Sequence, residues 1–357
     1  MVDFLSNYGL FLAKALTIVG AIVLIVAAIG AVAGRNKRDS SEGYIDVHHL
    51  NETLDDMEDA LKEAILDKDV YKQQLKAEQK KDKQEAKARK KALKKGAPAE
   101  PEEERKRIFV LDFDGDIKAS ELEPLREEIT AVLTMATEQD EVVVRLESPG
   151  GMVHSYGLAS SQLERIKRQG VPLTVCVDKV AASGGYMMAC LADKIVAAPF
   201  AILGSIGVVA QLPNFHRLLK KHDIDYEVLT AGEYKRTLTV LGENTEKGRQ
   251  KFIEELEDTH SLFKEFVAEF RPQVDLEKVA TGEVWFGRRA LDVNLVDEIS
   301  TSDEYLMDAC QDADVYMIRY EFKKTLQERI SDMSIKTADS LLIKWFSRIL
   351  NVRFLAK

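Results

Sequence analysis

The sequence has little cysteine and lacks the patterns of metal and nucleotide sites. Its 357 residues include only three cysteines, an odd number that is too small for a disulfide framework. Cys176 and Cys190 lie in apolar runs, which predicts that both are small buried side chains. No group of histidines and cysteines has metal-ligand spacing, and no glycine-rich loop follows the phosphate-binding pattern. The sequence therefore predicts neither a metal nor a cofactor.

The first long uncharged run lies at the N-terminus. ALTIVGAIVLIVAAIGAVAG, residues 15–34, is 20 residues long. As a helix, it is long enough to cross a hydrocarbon core of about 30 Å. Only Lys14 precedes it closely, and no small-residue cleavage site is evident. This favours a retained membrane anchor over residues 1–34 rather than a cleaved signal peptide.

A polar linker, residues 35–104, separates the anchor from the rest of the chain. Residues 72–95 contain eleven lysines and arginines against three acidic residues, with no glycine, proline or apolar stripe. This composition predicts a solvated helix that acts as a spacer. A polybasic patch for anionic lipid or nucleic acid is the alternative, but no nucleic-acid partner is expected. GAPAEPEEE, residues 96–104, marks the domain boundary.

Strand-like and helix-like segments alternate after that boundary. The predicted strands lie at residues 107–117, 141–151 and 171–178, and the predicted helices at 121–137 and 154–168. This alternation predicts an α/β domain with parallel strands over residues 105–300. After Asn244 the chain is predicted to be mainly helical. It ends in a C-terminal helical extension, residues 301–357, whose end is basic and amphipathic.

Residues 181–208, AASGGYMMACLADKIVAAPFAILGSIGV, are apolar enough to be mistaken for a second membrane span. Asp193 and Lys194 divide the stretch, and two adjacent charged residues are costly in the middle of a bilayer. The uncharged residues 195–215 contain prolines and glycines between short runs of valine and isoleucine, which is typical of a strand buried on both faces. The stretch is therefore assigned to the globular core.

Ser183 stands at the head of this stretch, between a predicted strand and a short helix. A serine in that position is most often a helix cap. Its small neighbours, Ala182 and Gly184, would let a substrate backbone approach the hydroxyl, and a helix N-terminus favours negative charge on an attacked oxygen. Gly150 and Gly151 follow another predicted strand and could hold a developing oxyanion, although a Pro-Gly turn there is ordinary.

A serine nucleophile needs a base, and there are two candidates. Of the six histidines, His154 is the one that directly follows the glycine turn. Lys235 lies in TAGEYKRTLT, after the apolar run YEVL at residues 226–229, which predicts a strand. A lysine acts as a general base only if desolvation or a nearby cation lowers its pKa. Judged by spacing alone, Lys235 would be an ordinary surface lysine.

Five ordered blocks resemble those of the signal peptide peptidase A (SppA)-type serine-lysine peptidases. The blocks are RLESPGG, VAASGGYMMAC, VAAPFAILGSIGV, AGEYKRTLT and GEVWFGRRALDVNLVDEI. With the anchor and the spacer they cover nearly the whole chain. The resemblance implies that Ser183 is the nucleophile and Lys235 the general base and acid. It also implies that the turn at Gly150 and Gly151, together with Gly184, forms the oxyanion hole.

The same resemblance implies a fold and an activity. The implied fold is ClpP/crotonase-like, built of repeated strand-strand-helix units, and the implied assembly is a ring in which serine and lysine can come from different subunits. The implied activity is that of a membrane-anchored serine endopeptidase acting on unfolded or already cleaved polypeptides. Asn294 stands where the family often has glycine, which is expected to affect only a turn.

Some apolar residues around the serine are candidates for the substrate cleft. Weak candidates are Tyr186, Met187, Ser205 and Val208, and the three that are not serine are equally compatible with the protein core. Ser205 is a second glycine-flanked serine, and we interpret it as part of a structural turn lining the cleft. Peptides, the lipid bilayer and further copies of the chain are the expected partners.

Two other classes of function stay open. One is a ClpP-like Ser-His-Asp peptidase or an acyl-CoA hydratase of the same fold. The lack of histidine in residues 193–211 counts against the former, and the latter typically uses carboxylates. The other class is a non-catalytic membrane adaptor, in which Ser183 and Lys235 could be changed without consequence.

The expected location is a bacterial inner membrane, but the side of the domain is open. The resemblance implies the periplasmic side. The positive charges after the anchor, at Arg35, Lys37 and Arg38, predict the cytoplasmic side.

Overall fold

The computed structural model describes residues 43–67 and 105–323, together with residues 14, 17, 69–71, 73 and 80. The predicted anchor apart from Lys14 and Thr17, the boundary at residues 96–104 and residues 324–357 lie outside this part. So does the predicted spacer helix apart from two residues, Gln73 and Lys80. Among the described residues, no helix combines the length and the apolar character needed to cross a bilayer.

Two compact units divide the chain. One consists of Ile45–Tyr320, and it holds nearly all of both sheets. The other consists of Met1–Tyr44 and Glu321–Lys357. Within the second unit, the Tyr44 hydroxyl lies 3.3 Å from a carboxylate oxygen of Glu321.

The larger sheet has seven strands in the order β1-β10-β2-β3-β4-β6-β9. Apart from β1, each strand in this order is parallel to its neighbours from β10 onward. The central strands are almost continuously apolar, and all five residues of β4 are buried, as expected for a parallel sheet covered on both faces. The strands are β1 Gly43–His49, β2 Lys106–Asp114, β3 Glu141–Glu147, β4 Leu173–Val177, β6 Lys194–Ala197, β9 Glu298–Ile299 and β10 Ala313–Phe322.

A smaller sheet of three strands adjoins the carboxyl end of β3. It consists of β5 (Val180–Ala182), β7 (Ile202–Gly204) and β8 (Val284–Phe286), with β5 and β7 parallel and β7 and β8 antiparallel. Ser148, the residue after β3, joins it: its N–H donates to Val180 O at 2.8 Å, and its carbonyl accepts from Ala182 N at 3.0 Å. These bonds bring the ends of β3 and β5 together.

Nine helices have both ends defined in the described part of the chain. α2 connects β2 to β3 and α3 connects β3 to β4, so each forms a crossover between parallel strands. Both bury one apolar face, and a fully buried leucine contributes roughly 2 kcal/mol. The helices are α1 Leu50–Ile65, α2 Leu122–Leu133, α3 Val153–Arg168, α4 Gly184–Ala189, α5 His216–Lys221, α6 Glu246–Phe270, α7 Leu276–Val279, α8 Gly287–Asp292 and α9 Ser302–Asp312.

The core lies on both faces of the larger sheet. Alternate residues of β2 and β3 point to opposite faces: Leu111 and Val144 belong to one apolar cluster, Val110 and Val143 to the other. The cysteine prediction is confirmed, since Cys176 and Cys190 are both buried. Burial raises the pKa of the Cys176 thiol to about 12.

The assignment of residues 181–208 to the core is confirmed. Ala181, Tyr186 and Ile195 have no exposed surface, and the stretch folds as the end of β5 followed by α4, β6 and β7. The prediction of a strand is wrong beyond β7, because the chain becomes exposed from Val209 (80 % exposed) onward. The predicted strand at residues 226–229 is also absent, because that segment has no sheet partner, and Leu229 is 90 % exposed.

The prediction of a mainly helical chain after Asn244 is partly wrong. α6 and α9 are helical, but Ala313–Phe322 forms β10, which pairs with β2 inside the larger sheet. Alternation of buried and exposed side chains at its start, with Val315 buried between partly exposed neighbours, is a strand pattern. β1 lies inside the predicted linker and joins the sheet next to β10.

Candidate active site

Ser183 occupies a sharp turn between β5 and α4. Its backbone has φ 52° and ψ −119°, a combination that residues other than glycine rarely adopt. The turn is fixed on both sides, because Ser183 N donates to Gly204 O at 2.8 Å and Ser183 O accepts from Met187 N at 2.9 Å. Strand-to-helix turns of this kind hold a nucleophile away from its own backbone. The half-buried side chain makes no hydrogen bond to any described residue.

The glycine turn lies directly against Ser183. Gly150 has φ 87°, and a Cβ added there would lie 2.8 Å from both the Gly184 nitrogen and the Ser183 Cβ. Gly151 is equally confined on its other side, where a Cβ would lie 2.2 Å from Ile117 O. Only glycine at both positions lets the two segments approach this closely.

The three predicted oxyanion donors differ in whether their N–H groups already have a hydrogen-bond acceptor. Gly150 N donates to Ser148 Oγ at 3.1 Å, so this N–H already has an acceptor. Within the described ranges, the N–H groups of Gly151 and Gly184 have no acceptor. Gly184 is the first residue of α4, where backbone N–H groups lack partners within the helix and favour an anion. The geometry therefore leaves Gly151 and Gly184 as the available donors.

Lys235 lies in a different environment. It belongs to the exposed segment between α5 and α6, and its own side chain is exposed. Its backbone N–H donates to Gly232 O at 3.2 Å, while its ammonium has no hydrogen bond or ion pair with the described residues. No hydrogen bond joins it to Ser183 in that part of the chain.

His154, the alternative base, is not placed for that role either. It is the second residue of α3 and is exposed. No hydrogen bond connects its ring with Ser183 among the residues that the structure describes. The described residues therefore supply the serine and the glycine turn, but neither of the two candidate bases is hydrogen-bonded to Ser183.

The four cleft candidates separate into core and surface. Tyr186 is fully buried and its hydroxyl donates to Leu295 O at 2.9 Å, which places it in the core, the alternative left open by the sequence. Met187, Ser205 and Val208 are half-buried. Ser205 has φ 51°, and its N–H donates to Glu283 O at 2.7 Å, so it is part of a fastened turn.

Asn294 lies in the turn between α8 and β9. It has φ 61°, a left-handed conformation that asparagine tolerates better than most residues.

The loop that contacts Gly151 through Ile117 carries several carboxylates. Backbone and side-chain hydrogen bonds from Ser120 hold the pKa of Asp116 below its usual value. Burial, and then the charges of Asp114 and Asp116, raise the pKa of Glu121.

The sequence singled out the turn at Ser183 and the two glycines, but two residues beneath them were missed. Ser148 and Tyr156 are fully buried and hydrogen-bonded to each other. The sequence signal was the serine that begins SPGG at the end of a strand, with a tyrosine eight residues later on the apolar face of the next helix. No group of three or more metal-binding side chains is arranged as a metal site in the described residues.

Two family models match the chain along most of its length. "Peptidase family S49 N-terminal" matches residues 3–163, and "Peptidase family S49" matches residues 165–316. The chain is 51 % identical over 347 residues to "Probable protease SohB" of Haemophilus influenzae, covering 97 % of each chain. It is 54 % identical over 242 residues to a protein of the same name from Buchnera aphidicola, covering 68 % of this chain and 72 % of that protein.

More distant similarities extend to other proteases. "Protease 4" of Haemophilus influenzae is 27 % identical over 258 residues, covering 67 % of this chain and 42 % of that protein. Among solved structures, the "1510-N membrane-bound stomatin-specific protease S97A mutant" covers 60 % of this chain and 97 % of that chain, at 14 % identity and a TM-score of 0.37.

Proposed function

The chain belongs to peptidase family S49, and on that premise we propose that it hydrolyses peptide bonds with Ser183 as nucleophile and Lys235 as general base. Membership confirms the resemblance to the SppA-type peptidases. The observation that carries the proposal is the turn at Ser183. A strained serine, with no hydrogen bond from its hydroxyl within the described chain, faces a glycine turn that only glycine can form. A non-catalytic adaptor would not require a strained serine that faces a glycine turn.

The reaction proceeds through an acyl-enzyme. Neutral Lys235 accepts the proton of the Ser183 hydroxyl, and Ser183 Oγ attacks the carbonyl carbon of an extended peptide. The carbonyl oxygen, now negative, accepts hydrogen bonds from the N–H groups of Gly151 and Gly184. The lysine ammonium then protonates the leaving amine. Water, activated by the neutral lysine, releases the acyl group and restores the enzyme.

Lys235 must be brought to Ser183 and desolvated before this chemistry can occur. The exposed segment that carries it is unusually apolar: Val209 is 80 % exposed, Leu218 53 % and Leu229 90 %. Exposed apolar side chains mark an interaction surface where they form one contiguous patch. We therefore propose that the chain works as a ring-like homo-oligomer, in which a second copy covers this segment and completes the dyad.

The remaining parts of the proposal concern fold family and location. The run β4, β5, α4 is one strand-strand-helix unit, which supports a ClpP/crotonase-like architecture for the domain. We propose that residues 15–34 anchor the protein in a bacterial inner membrane. The half-buried nucleophile favours flexible chains over folded proteins, so unfolded or already cleaved polypeptides are the proposed substrates.

The test is proteolysis of an unfolded protein by the full-length protein in detergent. Ser183→Ala and Lys235→Ala should each abolish cleavage without changing assembly. Lys278→Ala removes an exposed lysine of α7 and is the matched control, expected to cleave like the parent. Full cleavage by Lys235→Ala would make His154 the next candidate base. No cleavage by the parent would favour the non-catalytic adaptor.

A further inference from the structure

Buried hydroxyl groups form a continuous hydrogen-bond chain beneath the glycine turn. Gly150 N lies 3.1 Å from Ser148 Oγ, Ser148 Oγ 2.5 Å from Tyr156 Oη, and Tyr156 Oη 2.8 Å from Asp116 O. A carbonyl oxygen only accepts, so the Tyr156 hydroxyl donates to Asp116 O. It must then accept from Ser148, whose oxygen accepts from Gly150 N–H. Every proton in the chain is therefore assigned.

The two hydroxyl residues touch both halves of the proposed oxyanion hole. Ser148 and Tyr156 are fully buried. The Tyr156 ring fills the space beside Gly184, where an added Cβ would lie 2.4 Å from Tyr156 Cγ. Ser148 in turn lies beside Gly185, where an added Cβ would lie 2.5 Å from Ser148 O. One tyrosine thus supports the turn through its hydroxyl and the start of α4 through its ring.

The far end of the chain is also fixed. Asp116 O belongs to a loop whose side-chain carboxylate accepts from the N–H groups of Lys118 and Ser120, each at 2.9 Å. Ile117 of the same loop accepts at its carbonyl from Met152 N at 2.9 Å, just beyond the glycines. Burial raises the pKa of the Tyr156 phenol, which favours the neutral form that donates to Asp116 O.

We propose that Ser148 and Tyr156 are positioning residues for catalysis: they engage the Gly150 N–H and so hold the turn with the Gly151 and Gly184 N–H groups directed to the substrate carbonyl. This inference rests on the proposed function of Ser183. Without the tyrosine hydroxyl, the Ser148 hydroxyl loses its acceptor and is free to rotate. Gly150 then loses a fixed acceptor, and the turn can change its orientation relative to Ser183.

The first test is Tyr156→Phe in the full-length protein, with kcat and KM measured on an unfolded protein substrate. We expect kcat to fall about 10-fold with KM within about twofold, because the N–H groups of Gly151 and Gly184 remain but are no longer held in a fixed orientation. Loss of a direct oxyanion donor would cost roughly 100- to 1000-fold. An unchanged kcat would overturn the proposal.

Tyr305→Phe is the matched control for a lost tyrosine hydrogen bond. Its hydroxyl donates to Glu141 Oε1 at 2.6 Å, at the start of β3, whereas Ser148 follows the end of that strand about 20 Å away. Both variants should lower Tm, but only Tyr156→Phe should lower kcat. Equal losses of kcat in the two variants would show a merely structural role.

The pair Ser148→Ala and Tyr156→Phe tests whether the two hydroxyls act as a unit. If they do, the double variant has a kcat within about twofold of the poorer single variant, because either change already breaks the chain. Multiplicative losses would contradict this.

Hydrogen exchange separates failure of the positioning from failure of the proposed activity. Amide exchange of the peptide covering residues 148–152 should quicken in both single variants and not in Tyr305→Phe. If the parent cleaves nothing but exchange responds as expected, the peptidase proposal fails while the hydroxyl chain still holds the turn. If exchange does not respond, the positioning role is wrong whatever the activity.

Discussion

The two halves of the proposed catalytic dyad lie in contrasting surroundings. The serine half, residues 148–151 and 181–205, is built from strand ends, confined glycines and backbone hydrogen bonds. The lysine half, residues 209–245, is an exposed segment in which only α5 is regular structure. Within the described residues, the proposed nucleophile and oxyanion donors are therefore held in place, whereas the proposed base is exposed to solvent. The two halves should therefore respond differently to substitution.

Two glycines with positive φ give the largest expected difference. Gly150→Ala would place a Cβ 2.8 Å from Ser183 Cβ, whereas at Gly232 (φ 101°) the nearest atom to an added Cβ lies 3.9 Å away. Gly150→Ala should lower the free energy of unfolding by about 3 kcal/mol and reduce activity more than roughly 100-fold. Gly232→Ala should cost about 1 kcal/mol. Urea unfolding and turnover rates of both variants provide the measurement. Similar losses of stability and activity in the two variants would contradict the difference between the two halves.

The apolar surface of the lysine half should matter for assembly and not for folding. Leu229→Asp places a charge at a side chain that is 90 % exposed. We expect Tm to stay within about 2 °C, since exposed substitutions cost little, while the oligomer dissociates and activity falls at least about 10-fold. Sedimentation and activity measured together are the test.

Met135→Asp is its control, because Met135 is 53 % exposed after α2, outside the lysine half. That variant should keep both assembly and activity. If Leu229→Asp also stays assembled and active, Lys235 does not depend on a second copy through this surface.

A pH effect on stability should come from a buried carboxyl group of α2, outside the lysine half. Glu128 is 5 % exposed in α2, and burial raises its pKa from 4.5 to about 7. The folded state therefore keeps a proton that the unfolded state releases between those values. The stabilising effect of this proton is fully present below pH 4.5 and is lost as pH rises through 7. Across that window Glu128 contributes up to about 3 kcal/mol.

Glu128→Gln should flatten this pH dependence, as measured by urea unfolding between pH 5 and 8. Glu233 in the lysine half is the comparison: its hydrogen bond with Lys247 lowers its pKa, but the group is fully exposed. Glu233→Gln should leave the pH profile unchanged. A parent profile that is flat over this range would show that Glu128 ionises like an ordinary carboxylate.

The turns of the serine half could be located from sequence because their signals are local, although their catalytic roles were implied only by the resemblance. Ser183, Gly150 and Gly184 each stand beside a strand or helix end, where small residues have a direct steric meaning. The bond between Ser148 and Tyr156 could not be predicted, because it depends on how the turn brings α3 back over β3. β10 was missed for a similar reason, because its strand is defined by pairing with β2, which is distant in sequence.

The lysine half was predictable only through the resemblance. YEVL has the composition of a strand, but composition does not supply a neighbouring strand, and the segment stays exposed. The proposed role of Lys235 depends on the proposed contact of that segment with a second copy of the chain. Residues 226–235 therefore show where pattern reasoning fails for physical reasons.

The most direct test of the dyad is covalent labelling by a fluorophosphonate probe, read by mass spectrometry of the labelled peptide. The account predicts that the assembled parent is labelled at Ser183 and that Lys235→Ala slows labelling at least about 100-fold. Labelling of Ser205 instead, or equally fast labelling of Ser183 in Lys235→Ala, would contradict the serine-lysine assignment.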